Sequence, residues 1–235
     1  MIRDNQDQRV KKLEVRTVDI PDECWDLVFR FLADLKSVWT VSFHFQAKFS
    51  ILLKYLIKQL SSFLACSRGD EKYAHLMKFE GASEKLKLFK ADLLSYESIH
   101  SAIVGCSAVF HVACPVEMVE PAVKGTSNVL EASLEAKVER VVYVSSSAAI
   151  INIQNLPNDK VIDESCWSDN FVSCMIRDWY SFSKTEAEEQ ALDLAERTGI
   201  DLVRICPTVV LGPILQSTSV NATSLFLLNL LKGAY

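Results

Sequence analysis

The feature that most constrains this chain's fold is an alternation of short apolar runs with longer helical ones over its carboxy-terminal two thirds. Runs rich in β-branched and aromatic residues, bounded by polar segments, predict strands at 86–90, 107–112, 139–146 and 201–206. The intervening stretches are long enough for helices. Because neighbouring parallel strands need long crossover connections, this order predicts βαβ units and an α/β fold.

The stretch from Tyr180 to Arg197 contains no Gly or Pro and is rich in Ala, Leu and Glu, which predicts a helix. Tyr180 and Lys184 are four residues apart and therefore share one face of that helix. A phenol has a pKa near ~10, and a neighbouring ammonium lowers it, which makes a better acid for protonating a carbonyl oxygen. By itself the spacing also fits a surface helix whose Lys side chain extends along it.

A second feature supports the chemical interpretation. The apolar run Val141–Val144 ends in three serines, Ser145 to Ser147. Ligands of open parallel sheets bind beyond the carboxyl ends of strands, where Ser146 can hydrogen-bond a carbonyl. A serine cluster after a strand is more often only a turn. Ser, Tyr and Lys in this order across a βα unit are much more specific.

From about Arg68 onward the sequence resembles the plant cinnamoyl-CoA reductase and dihydroflavonol reductase group of extended short-chain dehydrogenases. The Ser, Tyr and Lys residues fall where that group has its catalytic set. Further matching segments are Lys87-Leu-Phe-Lys-Ala-Asp-Leu-Leu94, Val109-Phe-His-Val-Ala-Cys-Pro-Val116, Pro121-Ala-Val-Lys-Gly-Thr126, Asp163-Glu-Ser-Cys-Trp-Ser-Asp169 and Cys206-Pro-Thr-Val-Val-Leu-Gly-Pro213.

The resemblance implies a Rossmann-like parallel sheet with flanking helices and NADP-dependent chemistry on a CH–OH or C=O group. It assigns the carbonyl hydrogen bond to Ser146, proton donation to Tyr180, and ribose contact with pKa tuning to Lys184. Arg68 would contact the 2′-phosphate, although a solvated Arg in a charged loop explains it equally well. The cofactor-binding positions implied by the resemblance are Arg68, Asp92, Leu93, Val112, Ala113, Tyr180, Lys184, Pro207, Thr208, Val209 and Thr223.

Glycine is absent from residues 1–68. The family begins with a strand, a glycine-rich turn and a helix whose N-terminus holds the cofactor pyrophosphate. We therefore predict a divergent helical segment at 1–66 and a partial NAD(P)-binding reductase domain at 67–235. That domain would lack the first glycine-rich βα unit and the carboxy-terminal substrate portion. NADP binding is accordingly expected to be weak.

The amino-terminal segment leaves a different function open. Residues 20–35 slightly resemble the start of an F-box, a helical module that docks on an adaptor protein. An amphipathic helix covering apolar surface explains the same pattern. The alternative to a reductase is therefore a non-catalytic truncated or chimeric product that acts as an interaction protein.

The seven residues Asp178-Trp-Tyr-Ser-Phe-Ser-Lys184 bear on the substrate. Cinnamoyl-CoA reductases carry Asn-Trp-Tyr-Cys-Tyr-Gly-Lys at this place. The departure makes an aldehyde or a ketone as plausible a small-molecule carbonyl substrate as a CoA thioester.

Two further residues are interpreted structurally. We expect His111, inside a strand, to be a packed core residue, and Trp167 to be a packing anchor.

Composition excludes several partners. The net charge of −5 and the lack of a basic cluster argue against nucleic acid. The seven cysteines are scattered without a C-x-x-C, which favours free thiols in the cytoplasm and gives no zinc site. The most apolar early stretch, 49–66, carries Lys54 and Lys58, so no membrane span is expected.

Overall fold

A parallel sheet organises the described part of the chain. Its neighbour order is β3-β2-β1-β4-β5-β6, and every neighbouring pair is parallel. This is the order of a doubly wound Rossmann sheet, as predicted. The strands are β1 (Trp39–Ser42), β2 (Phe63–Ser67), β3 (Leu86–Lys90), β4 (Ala108–His111), β5 (Arg140–Val144) and β6 (Leu202–Ile205).

The computed structural model describes residues 39–42, 63–67, 76–112, 119–154, 162, 166–208 and 222–233. All of them belong to a compact unit that runs from Leu35 to Tyr235. The F-box-like segment at 20–35 lies outside the described residues. The four predicted strands are confirmed as β3 to β6, with ends that differ by no more than two residues.

The helices that cover the sheet largely follow the predicted pattern. The run from Tyr180 to Arg197 is confirmed within α5, and the stretch between β4 and β5 contains the long helix α3. The short helix α4 was not predicted. The bounds are α1 (Ala82–Lys85), α2 (Tyr96–Ile103), α3 (Val119–Glu135), α4 (Asn170–Met175), α5 (Trp179–Thr198) and α6 (Ala222–Leu231), with a 3-10 turn at Ser147–Ala149.

The amino-terminal boundary needs a correction. Strands β1 and β2 lie where we predicted a helical segment outside the reductase domain, and β1 pairs with both β2 and β4. The domain therefore starts before residue 67, and the strand of the first βα unit is present. Both strands carry aromatic or β-branched residues that favour extended structure. They were overlooked because no glycine-rich turn follows β1 in the sequence.

The main core lies between the sheet and the packed pair α3 and α5. Val109 and Val141 from the strands meet Val129 and Leu130 of α3 and Leu194 of α5, all buried. Helix α5 ends at Gly199, which has a φ of 73° and donates its N–H to the carbonyl of Ala195. Glycine adopts this left-handed conformation without steric cost, so the chain turns here toward β6.

Helix α3 approaches the turn after β3 very closely at Gly125. A Cβ built on Gly125 would lie 3.0 Å from the Cβ of Leu93. Nearby, Asn128 Nδ2 donates to the carbonyl oxygen of Leu93 at 2.6 Å. The helix can keep this hydrogen bond and the contact together because position 125 carries no side chain.

We therefore expect Gly125→Ala to lower the free energy of unfolding by about 1 kcal/mol. Overpacking costs about 1–3 kcal/mol, and the better helix propensity of Ala returns up to about 1 kcal/mol. Urea denaturation measures the difference. Lys124→Ala, on the exposed side of the same helix, is the control and should change stability by no more than about 0.5 kcal/mol. A Gly125→Ala protein more stable than the parent would contradict the close approach.

Candidate active site

Strand β5 ends at Val144 and delivers Ser145 and Ser146 to the carboxyl edge of the sheet. Ser146 is buried, and its Oγ accepts a hydrogen bond from the N–H of Ala148 at 3.2 Å, which caps the 3-10 turn. A hydroxyl oxygen that accepts in this way still carries its own proton. Ser146 can therefore donate to a carbonyl oxygen without giving up the hydrogen bond that orients it.

Backbone pairing between β5 and the chain after β6 continues past both strands. Ser145 N–H donates to Ile205 O at 2.8 Å, and Ser147 N–H donates to Pro207 O at 3.0 Å. These bonds place Pro207 beside the serines, whereas its contact with a cofactor stays a prediction. Thr208 follows it and is exposed.

Helix α5 brings Lys184 to the same edge. Lys184 is only 3% exposed, and its Nζ donates to the carbonyl oxygen of Val144 at 3.4 Å. Tyr180 lies one turn earlier on the same helical face and is partly exposed. The helix also packs against the 3-10 turn that Ser146 caps. The elements carrying Ser146, Tyr180 and Lys184 thus meet, whereas contact between the Tyr180 hydroxyl and Ser146 stays a prediction.

The N-terminus of α5 is fixed by Asp178. Its carboxylate accepts from the N–H of Ser181 at 3.0 Å, from the Ser181 hydroxyl, and from Asn152 Nδ2 at 3.2 Å. Burial acts to raise the pKa of Asp178, but these hydrogen bonds to the charged form outweigh it and hold that pKa below its ordinary value. Asn152 ties the helix start to the segment after the 3-10 turn, so Tyr180 begins from an anchored position.

His111 lies at the carboxyl end of β4 and is buried, as predicted. Its Nε2 is 3.1 Å from Thr126 Oγ1, and its ring centroid is 5.4 Å from that of Tyr143. Burial and, secondarily, the charge of Lys184 lower the pKa of His111 to about 3. The imidazole is therefore neutral at physiological pH, and the neighbouring charge that acts on it is that of Lys184.

The other predicted cofactor positions are only partly described. Val112 is buried directly after β4. Asp92, past the end of β3, accepts from the N–H of Leu94 at 3.1 Å through its own side chain. The side chain of Leu93 packs in the core. Arg68, Ala113 and Val209 lie outside the described residues, and at Thr223 only the backbone is described, within α6.

Sequence reasoning missed a buried ionic cluster one turn beyond Lys184. Glu188 is fully buried, accepts from the Ser145 hydroxyl and pairs with Arg204 of β6. Its Oε2 also lies 3.7 Å from Cys206 Sγ. The guanidinium of Arg204 lies 5.4 Å from the ring centroid of Trp167, whose side chain is 38% exposed, so its predicted role as a packing anchor stays a prediction. The available signal was the four-residue spacing from Lys184 to Glu188, which places both on one helical face.

Comparison with known proteins now assigns the family. The profile of the 3-beta hydroxysteroid dehydrogenase/isomerase family matches residues 67–229. The chain belongs to this family. The match begins after the F-box-like segment and gives that resemblance no support.

Several curated relatives confirm the predicted reductase group. Cinnamoyl-CoA reductase 2 of Medicago truncatula is 48% identical over 170 residues, which are 70% of this chain and 50% of the relative. Tetraketide alpha-pyrone reductase 1 of Arabidopsis thaliana is 38% identical over 175 residues, which are 70% of this chain and 53% of that protein. The chain thus spans about half the length of the curated relatives it matches.

Solved structures support the fold. Vestitone reductase from alfalfa (Medicago sativa L.) superposes with a TM-score of 0.71 at 32% identity, over 79% of this chain and 61% of that one. Among the described residues, no helix is both long and apolar enough to cross a membrane. The described His, Cys, Asp and Glu side chains form no group of three that could hold a metal ion.

Replacing Asp178 with Ala tests the anchoring of α5. Loss of an N-cap side chain costs about 1 kcal/mol of unfolding free energy, and we expect at least that loss at pH 7. Because the folded pKa of Asp178 is depressed, its charge stabilises the fold above the ordinary Asp pKa of about 4, and this stabilisation is lost as the pH falls through the folded pKa. The difference between parent and variant should therefore shrink in acid.

Urea denaturation at several pH values measures this difference. Asp193→Ala provides the control, since Asp193 is exposed and makes an i,i+4 ion pair with Arg197 at 3.0 Å. That change should alter stability by no more than about 0.5 kcal/mol. An Asp178→Ala protein whose deficit is the same at all pH values would exclude a role for the carboxylate charge.

Proposed function

We propose that this protein is an NADP-dependent reductase that converts a carbonyl group of a small molecule into an alcohol. The observation that carries the proposal is the burial of Lys184 against Val144 O, two residues before Ser146 and one helical turn after Tyr180. Burying an ammonium costs free energy, and ionisable groups buried in this way cluster at functional sites. The names of the relatives, which are reductases, support the same chemistry.

In the proposed reaction Tyr180 gives its hydroxyl proton to the carbonyl oxygen, while Ser146 donates a hydrogen bond to that oxygen. When bound, NADPH supplies the hydride. The charge of Lys184 favours the phenolate that Tyr180 becomes, which lowers the cost of proton transfer. Neutral His111 does not compete for this role, because its low pKa leaves it without the acidic second proton of an imidazolium at neutral pH.

The residues present suit the nicotinamide end of NADP better than its pyrophosphate. The register of β1 and β4 pairs Ser42 with His111, so both strands end at the switch point of the sheet, where dinucleotides bind. Lys184 and Val112 lie at this edge and suit the nicotinamide end. In the chain after Ser42, however, residues 43–48 contain no glycine. A backbone with side chains cannot approach the pyrophosphate as closely, so this end fits poorly.

We propose an aromatic substrate of the phenylpropanoid type. The apolar side chains of Phe171, Met175, Ile176 and Trp179 are exposed on α4, in the turn after it and at the start of α5. This apolar surface includes the first residue of the helix that carries the proposed proton donor. The replaced residues between Tyr180 and Lys184 favour an aldehyde or a ketone as much as a CoA thioester.

The free thiols of Cys106, Cys166, Cys174 and Cys206 suit a cytoplasmic location.

The proposal is tested by incubating the full chain with millimolar NADPH and a panel of aromatic aldehydes, ketones and CoA thioesters, following loss of NADPH absorbance. Tyr180→Phe should lower kcat by about a hundredfold or more, because the proton donor is lost. Tyr96→Phe, which removes a hydroxyl bonded to Glu135 on the α2–α3 surface, is the matched control and should keep its kcat. Equal activity of both variants would overturn the assignment of Tyr180.

We further expect NADPH to bind far more weakly than to relatives with a glycine-rich turn. Each lost charge-assisted hydrogen bond to the pyrophosphate is worth roughly 1.5–3 kcal/mol. Two or three such losses weaken binding by about a hundredfold to a millionfold. Calorimetric titration measures the dissociation constant, with Lys184→Met as a variant that removes a remaining contact. A low-micromolar dissociation constant for the parent chain would contradict the expectation.

A further inference from the structure

Glu188 is a buried carboxylate that joins three elements of the fold. It projects from α5, accepts from the hydroxyl of Ser145 at the end of β5, and pairs with the guanidinium of Arg204 in β6. Its side chain is completely buried, whereas that of Arg204 is 18% exposed. A carboxylate without these partners would be very costly in this environment, so the cluster holds together as one unit.

The cluster acts on the same helical face as the proposed catalytic residues. Tyr180, Lys184 and Glu188 follow one another at four-residue spacing along α5. Lys184 bonds to Val144 O, and Glu188 bonds to the next residue, Ser145. Hydrogen bonds therefore join two successive turns of the helix to two successive residues at the end of β5. A shift of α5 along its axis would break both contacts.

The cluster is also held from its far side. Ser145 N–H is bound by Ile205 O at 2.8 Å, so the partner of Glu188 has a fixed backbone. The ring of Trp167 lies 5.4 Å from the Arg204 guanidinium, so a loop residue packs against the cation. Buried ion pairs contribute little to net stability compared with apolar residues of similar volume, and their best-attested use is to specify one geometry.

We propose that Glu188, held by Arg204, is a positioning residue that sets the register of α5 against the end of β5, so that Tyr180 and Lys184 face Ser146. This inference rests on the proposed reductase function. Glu188 itself touches neither substrate nor cofactor. Its effect passes through Ser145 to the adjoining Ser146, and through the helix to Lys184 and Tyr180.

The test compares Glu188→Gln and Ser145→Ala with the control Asp201→Asn in the full chain. Asp201 pairs with Arg140 at the opposite end of the same two strands, with Nε to Oδ2 at 2.7 Å. Glu188→Gln neutralises the partner of Arg204, Ser145→Ala removes the hydroxyl bonded to Glu188, and Asp201→Asn neutralises the partner of Arg140. Only the first two lie at the carboxyl edge, and Ser145→Ala alters no charge.

Two readouts separate positioning from stability. The first is kcat at saturating substrate and cofactor, corrected for the folded fraction from urea denaturation. The second is the ¹³Cζ resonance of Tyr180 in tyrosine-labelled protein, assigned by its loss in Tyr180→Phe. We expect Glu188→Gln and Ser145→Ala to lower kcat by about tenfold to a hundredfold and to move the resonance, because small misplacements of reacting groups have effects of this size. Asp201→Asn should change neither.

Unchanged kcat and an unchanged Tyr180 resonance in Ser145→Ala and Glu188→Gln would overturn the inference. If Glu188→Gln fails to fold, Ser145→Ala alone decides, since it leaves the ion pair with Arg204 intact. If the parent chain reduces no substrate of the panel, the proposed function fails while the resonance still decides the positioning. A shift in Ser145→Ala but not in Asp201→Asn then supports it, and no shift overturns it.

Discussion

The docking of α5 onto the carboxyl end of β5 is the contact on which the site depends. A parallel strand ends with carbonyl groups that its neighbours do not satisfy, and here the Val144 carbonyl is bound by the ammonium of Lys184. One turn further on, Glu188 binds the Ser145 hydroxyl. Ser146 follows directly, so its place relative to the helix is determined by these two contacts. The side chain of Asp178 caps the N-terminus of α5 and so fixes the start of the helical segment that carries Tyr180 and Lys184.

Each charged side chain at this edge has its own partner. Lys184 is buried with a backbone carbonyl, while His111 stays neutral because protonation beside Lys184 in a buried site is unfavourable. Glu188 is compensated by Arg204, which lies on the side of β6. This separation keeps the carboxylate paired with its own cation. Lys184 is therefore not paired with this carboxylate and binds the Val144 carbonyl.

The amino-terminal strands show where pattern reasoning reaches its limit. Residues 1–68 contain no glycine and therefore no glycine-rich turn. Strand β1 nevertheless lies in the centre of the sheet between β2 and β4. Strand pairing needs only extended backbone and neighbours with complementary register. Close approach to a phosphate needs glycine. The chain meets the first requirement, whereas residues 1–68 contain no glycine for the second.

The sequence by itself determined the α/β class, the strands β3 to β6, the helix that carries Tyr180 and Lys184, and the buried state of His111. These follow from local periodicity and from the spacing of residues within one element. Only the tertiary structure decided that β1 and β2 join the sheet, that Leu93 packs against Gly125, and that Glu188 meets Ser145, Arg204 and Cys206. The residues in each of these contacts are far apart in the chain. Their approach depends on strand register and helix docking, which local patterns do not encode.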